Sequence, residues 1–362
     1  MMTTTTNATT TRTILALDLG KYKSVACRYQ RDTAEHAFQS LDTSYDHLRQ
    51  LFEQHRPALV VFEARALAGW VHDLCIELGL PCKVANTASE AWKFKHTKRK
   101  TDKDDALRLA QLEALGQLPT VVIPPKQTRE WRALIAYRQD LVGRRVALQN
   151  RIRALLVGQG LSAPRGHRAW TEAGLQEIAD HARPLAECGA EELWRGLLEL
   201  TLTEYRQILV LLKQAATRLD ALAGADAGVR ILESIPGVGS RTAEVVVAYL
   251  GEPKRFPTAK QVSAYAGLVP RQYQSGESDR RGRITRRGPA LLRKLLVECA
   301  WVMLRYNRWA RVVYLRLSRG KARKKQAMVA LARKLLVRCW AMLRDKARWR
   351  DETAASAAAV SA

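Results

Sequence analysis

Two apolar stripes set the architecture. Leu134, Leu141, Leu148 and Leu155 recur every seven residues, and so do Leu198, Tyr205, Leu212 and Leu219. A sustained heptad keeps one helical face apolar over many turns, so each stripe demands a long helix and something to pack against. The pattern predicts two long helices lying as an antiparallel pair, with a second subunit as the alternative partner for the same face. The stretch between them, GQGLSAPRGHRAWTEAG, reads as a loop or small insertion.

The chain is organised differently on either side of that pair. At 362 residues it has room for two or three domains with real cores. From residue 13 to about 125 the pattern alternates. TILALDLG and SVACRYQ read as strands joined by a turn at Gly20-Lys21, and YDHLRQLFEQH reads as a helix. PALVVFEA is a buried strand, GWVHDLCIELGL a helix with a glycine stop, PCKVAN a strand, and KTDKDDALRLAQLEALGQLP a helix. A hairpin followed by alternating helices and strands predicts a mixed α/β sheet. From about 228 onward the chain reads as all-α, broken by glycine turns. Residues 1–11 and 351–362 read as disordered tails.

Charge narrows the function classes. The net charge is +25, and residues 271–350 carry 24 Lys and Arg against four Asp and Glu. A block this basic repels itself unless a polyanion neutralises it, which points to nucleic acid ahead of an anionic membrane surface or a solvated face. The six cysteines are scattered without C-x-x-C spacing, which argues against a zinc site and a disulfide scaffold. The polar N-terminal stretch lacks the apolar core of a signal peptide, and no run is long enough to span a membrane. The expected location is the cytoplasm of a prokaryote, in association with the nucleoid.

Four carboxylates belong together. Asp18 ends the first strand, Glu63 ends LVVFE, and Asp102 and Asp105 open the helix after the basic run KFKHTKRK. Residues three apart on a helix share a face, whereas Asp104 points away from Asp102. Such an oxygen-rich cluster suits Mg²⁺, with one or two ions placed for phosphoryl transfer. Taken singly, each acid could be structural; Asp102, for one, is a sound cap. The first hairpin also occurs in sugar kinases and actin-like ATPases. Those enzymes need further glycine-rich phosphate turns after later strands, and this sequence has no Walker-type run.

The basic half holds a second constellation. SIPGVGSRTAEVVVAYLGEPKRF has a helix–hairpin–helix pattern, in which Gly237 and Gly239 shape a turn that offers backbone N–H groups to a phosphate. Its plain alternative is a simple helical hairpin. Further on, Ser275 precedes Gly276 and the guanidiniums of Arg280, Arg281, Arg283, Arg286 and Arg287, which suit a scissile phosphate. A serine needs an activating base or metal, and this segment has no histidine. Ser278 and Ser240 compete for the same role. Residues 303–350 interleave Trp309, Tyr314, Trp340 and Trp349 with cations, a pattern that fits a nucleic-acid groove or a core.

These stretches resemble the DEDD insertion-sequence transposases, the IS-one-ten group that includes Piv-type DNA invertases. The resemblance rests on LALDLGKYKS, VVFEA, KTDKDDALRLA, IPGVGSRTAEVVVAYLG, FPTAKQVSAYAGLVPRQYQSGES and GRITRRGPALLRKLLVECAW, in that order. It implies an RNase H-like (RuvC-like) domain over 12–127, a helical coiled-coil linker over 128–227 and a serine-bearing transposase domain over 228–350. It places the metal carboxylates at Asp18, Glu63, Asp102 and Asp105, and the catalytic serine at Ser275. It further implies strand exchange on double-stranded DNA through a phosphoserine, homodimers that pair into tetramers with composite centres, and an element-encoded guide RNA. A RuvC-like hydrolytic nuclease and a non-catalytic nucleic-acid binder are the alternatives.

Overall fold

TILALD is buried along its whole length, which makes β1 (Thr13–Asp18) an interior strand. A strand covered on both faces reads as a continuous apolar run rather than an alternating one. The computed structural model describes residues 12–86, 101–162, 164–275, 278–318 and 323–350. The terminal tails 1–11 and 351–362, the basic run 93–100 and Gly276 lie outside the described residues. The chain divides into two compact units at Lys126/Gln127.

In the first unit β1 pairs antiparallel with β2 (Lys23–Gln30), which pairs antiparallel with β3 (His36–Asp42). On its other side β1 runs parallel to β4 (Leu59–Glu63), and β4 runs parallel to β5 (Cys82–Ala85). The two-residue β6 (Thr120–Val121) closes the order β3-β2-β1-β4-β5-β6. Helices α1 (Tyr45–His55) and α2 (Ala68–Glu77) cover one face. There Leu15, Leu17, Val60 and Phe62 meet Leu48, Phe52, Val71 and Leu74. Helix α3 (Asp102–Ala114) covers the other, setting Ala106, Leu109 and Ala110 on Ile14, Ala16 and Val61. Each buried Leu, Ile, Val or Phe contributes about 1.5–3 kcal/mol relative to exposure, so these contacts fix the register of every strand.

The second unit starts with the heptads. Helices α4 (Lys126–Gly158) and α6 (Leu193–Ala225) carry the two stripes. Leu141, Leu148, Ile152 and Leu156 pack with Leu198, Leu202, Tyr205 and Ile208, while Ile135 shares a core with Leu219 and Ala223. Early residues of one helix therefore meet late residues of the other, and the pair is antiparallel. Toward the end of α4 the stripe moves from Leu155 to Ile152 and Leu156, because 3.6 residues per turn drifts against a strict seven. The expected loop between the helices contains α5 (Glu172–Ala179), capped by Thr171, whose Ile178 enters the same core.

The remaining helices are α7 (Ala227–Glu233), α8 (Ser240–Leu250), α9 (Ala259–Tyr265), α10 (Ala290–Tyr306), α11 (Arg308–Ser318) and α12 (Lys324–Asp345). They close around Met303, Leu331, Leu335 and Leu336. The expected boundary at 227/228 does not separate two cores, since Leu219 and Ala223 of α6 sit in the same cluster as these helices. Trp340 is core, donating its indole N–H to the Pro253 carbonyl at 2.9 Å. Trp301 and Tyr306, in contrast, are exposed.

The all-α expectation for residues beyond 228 fails at one place. Pro270–Ser275 (β7) and Ser278–Ile284 (β8) form an antiparallel ribbon in which Ser275 pairs with Ser278. Every residue of β7 is exposed, so no apolar alternation marks the strand in the sequence. The base of the ribbon is held instead by backbone fit. Gly267 and Gly288 both have positive φ, and a Cβ at either would strike a carbonyl oxygen, of Arg287 and Tyr265 respectively. The Arg293 guanidinium donates to the carbonyls of Ala266, Arg287 and Gly288 at 2.9–3.1 Å, tying the ribbon to α10.

Candidate active site

The parallel ladder brings two acids side by side. Leu17 pairs with Phe62, so the next residues, Asp18 and Glu63, lie abreast at the carboxyl ends of neighbouring strands. Alternation puts both on the face that carries Ile14, Ala16 and Val61, the face α3 covers. Gly20 then turns the chain into β2; a Cβ there would lie 2.1 Å from the Lys23 carbonyl oxygen.

Helix α3 supplies the third acid. Thr101 caps it: its hydroxyl accepts from the Asp104 N–H, while the Asp104 carboxylate accepts from the Thr101 N–H and hydroxyl. Asp104 thus serves the cap, and its neighbour Asp105 turns toward the sheet. One carboxylate oxygen from each of Asp18, Glu63 and Asp105 lies within 4.8 Å of the other two. Asp102 is exposed and outside that set, but near enough to push the Asp18 carboxyl up.

The negative charge is only partly compensated. Asp18 and Glu63 are 8% and 2% exposed, and neither Asp18 Oδ1 nor Glu63 Oε1 has a hydrogen-bond partner. Burial pushes the Asp18 carboxyl up to about 6; Arg65 pulls it down, and Glu63, Asp102 and Asp105 push it up. Among the described residues Arg65 is a cation at the cluster, and sequence reasoning missed it. Its Nε donates to Glu63 Oε2 at 2.6 Å, and its Nη2 lies 4.0 Å from Asp18 Oδ1. No periodicity flags an arginine two residues beyond a strand end. An all-oxygen donor set with two orphaned buried oxygens fits a hard divalent cation.

The second constellation lies wholly in the other unit. Ser275 ends β7, exposed, opposite a strand that carries Arg280 and Arg283, both exposed. Arg281 pairs with Gln272 along the ribbon. Arg286 sits at its base with φ +56°, and its backbone N–H donates to the Gly267 carbonyl. Arg287 is exposed. Gly237 has a packing role the sequence did not reveal: with φ +92°, it lies where a Cβ would be 3.0 Å from Met303 Cα. Cys299 of α10 and Asn307, just past its end, donate to the Gly237 and Pro236 carbonyls respectively. Gly239 caps α8 with open space around it, and Ser240 begins that helix, half-buried.

A DEDD IS110 transposase profile matches residues 15–159, and that of the transposase IS116/IS110/IS902 family matches residues 229–315. The chain is 32% identical over 291 residues to a probable family 20 transposase of Pseudomonas aeruginosa, covering 79% of each chain. It is 30% identical over 299 residues to the transposase for insertion sequence element IS1111A of Coxiella burnetii, covering 80% of this chain and 79% of the relative. A pilin gene-inverting protein of Moraxella lacunata is 35% identical over 118 residues, 32% of this chain and 36% of that one. An α/β unit with a buried carboxylate cluster, joined to a cationic helical unit, is here a DNA-processing enzyme, a transposase. The chain belongs to the IS110/IS116 transposase family. Among the described residues no helix is long and apolar enough to cross a membrane.

Proposed function

We propose that this transposase cuts and rejoins the DNA of its own insertion sequence by serine chemistry supported by Mg²⁺. The observation that carries the metal reading is the pair of buried, unpartnered oxygens on Asp18 and Glu63 beside Asp105. Asp18, Glu63 and Asp105 would hold the ion, with Asp102 one helical turn away as the fourth carboxylate. The strand order, with an antiparallel β1–β2–β3 and acids on β1, β4 and α3, supports an RNase H-like (RuvC-like) reading of the first unit. When bound, Mg²⁺ supplies positive charge to an attacking oxygen and to a leaving one.

Ser275 is the proposed nucleophile. Its Oγ forms a bond to a backbone phosphorus while the bond to a deoxyribose oxygen breaks; the serine proton leaves and the freed sugar oxygen gains one. A second strand end then attacks the phosphoserine, its hydroxyl loses a proton, and Ser275 is restored. Two phosphodiesters are exchanged without net hydrolysis, so no nucleotide is consumed. Arg280, Arg281, Arg283, Arg286 and Arg287 follow the serine closely in sequence and would carry the phosphate's charge. The turn at 236–239 would act as a helix–hairpin–helix, with Gly237 shaping it and the N–H groups from Gly239 onward meeting DNA phosphates. The element-encoded guide RNA and the dimer-to-tetramer assembly with composite centres belong to the same proposal.

The acid cluster is complete within the first unit, which favours hydrolytic nicking as a second reading. One experiment separates the two: wild type, Ser275→Ala and Asp18→Ala with Mg²⁺, element RNA and labelled junction DNA, resolved under denaturing conditions. A protein–DNA adduct with wild type alone, mapped to Ser275, is the expected result. Nicking without an adduct that survives Ser275→Ala means water is the nucleophile.

A further inference from the structure

The carboxyl end of β1 carries a second feature beside the acids. Leu19 to Ser24 turn the chain from β1 into β2, and the pairing of Asp18 with Val25 closes that turn. A turn of this length reaches at most about 10 Å beyond Asp18. Lys21 and Tyr22 stand at its tip, both exposed. Among the described residues Tyr22 is the most exposed large hydrophobic side chain, at 73%. Its ring therefore adds little to the core.

The backbone beneath that ring is held from several sides. Gly20 lies where a Cβ would come within 2.1 Å of the Lys23 carbonyl oxygen, so the chain closes tightly there. The Thr43 N–H donates to the Tyr22 carbonyl at 2.7 Å, and the Ser24 and Thr43 hydroxyls meet at 2.7 Å. Thr43 lies between β3 and α1, so the tip is tied to the next strand and helix. None of these bonds uses the Tyr22 ring. A single exposed apolar residue is ordinary on a protein surface. One mounted on a fixed turn beside a buried acid cluster is placed to meet what the cluster meets.

Lys21 Nζ lies 4.9 Å from the centroid of the Tyr22 ring. An ammonium over one face of a ring leaves the other face for a flat partner. An aromatic face with a cation beside it suits the two parts of a nucleotide, the base by stacking and the phosphate by charge. Bases inside an intact duplex stack on one another, whereas an unpaired base at a break or strand end offers its face. We infer that Tyr22, with Lys21, is a stacking platform for an unpaired base of the DNA strand on which the acid cluster acts. Tyr22 is a positioning residue: the stacked base sets where the neighbouring phosphate stands relative to Asp18, Glu63 and Asp105. Stacking accepts any base, so the platform fixes position and not sequence. The inference rests on the acid cluster acting on DNA, as in the proposed function, but not on the serine step.

The test uses the full-length protein in chelator, which keeps the strands intact, and a DNA duplex with a short gap. The fluorescent base 2-aminopurine stands at each unpaired position in turn. Wild type should quench its emission at one position and bind the gapped duplex more tightly than the intact one. Tyr22→Phe keeps the ring and should keep both properties. Tyr22→Ala should lose the quench and weaken binding to the gapped duplex by roughly tenfold, with the intact duplex unchanged. Tyr22→Gln decides the matter if Tyr22→Ala melts early. Lys21→Gln should weaken binding to both duplexes and lower the log–log salt slope by about 1. No quench with wild type, or a quench that survives Tyr22→Ala and Tyr22→Gln, overturns the platform. So does a Tyr22→Phe that behaves like Tyr22→Ala, or a quench seen only when the labelled base stands in an RNA hairpin loop. Failure of the acid reading shows elsewhere, as strand cutting in Mg²⁺ that survives Asp18→Ala.

Discussion

At the residue scale the acid cluster balances charge against burial, and Asp18 reports that balance. Its carboxyl titrates near 6 in the folded metal-free protein, against 3.8 ordinarily. The folded state therefore holds the proton more tightly than the unfolded chain does. Stability from this group is full below about pH 4 and is lost as pH rises through about 6. Melting temperature measured in chelator should fall across that window, and Asp18→Asn should abolish the fall. Mg²⁺ should restore stability above pH 6 in wild type alone. Arg65→Ala removes the cation bonded to Glu63 and should cost about 1–3 kcal/mol without metal, with most of the loss recovered on adding it. Asp18 and Glu63 were legible because each ends an apolar run; Arg65 and Arg293 were not, because what each does depends on carbonyls and carboxylates that only the fold brings near.

At the element scale, helices with strong apolar periods were readable and polar ribbons were not. β1, β4 and α3 stand where the sequence puts them, since buried runs and caps have local signatures. β7 and β8 lack an apolar face, and β3 is a largely exposed edge, so nothing periodic marks them. α5 was hidden in a stretch that reads as a loop because it is only eight residues long. The turn between α7 and α8 read as a phosphate motif, but half of its reason is packing. Gly237→Ala meets both a positive φ and the Met303 backbone, and should lower the unfolding free energy by about 1–3 kcal/mol in chemical denaturation. Gly239→Ala meets nothing within 4 Å and should cost less than 1 kcal/mol in the same measurement.

For the whole molecule, the buried carboxylate cluster and the most basic segment lie in separate compact units, and the two should respond to different ligands. Hydrogen exchange in Mg²⁺ should slow at the amides of β1, β4 and the start of α3, with residues 127–350 unchanged. Duplex DNA should slow exchange in α8, the β7–β8 ribbon and α11–α12. Uniform protection by either ligand alone would contradict that division. The charge imbalance was visible in composition, yet composition could not say that α4 and α6 share a core with the helices after 228. Core membership depends on side chains far apart in sequence.

The ribbon also has a consequence for how copies of this protein meet one another. An open strand edge is an invitation for a neighbour's strand to join it, the usual beginning of aggregation. Here the edges are polar and studded with Arg271, Arg280 and Arg283, all exposed. Two such ribbons approaching edge to edge bring guanidinium against guanidinium. Charge repulsion therefore keeps copies apart, and an anion laid between them removes the barrier.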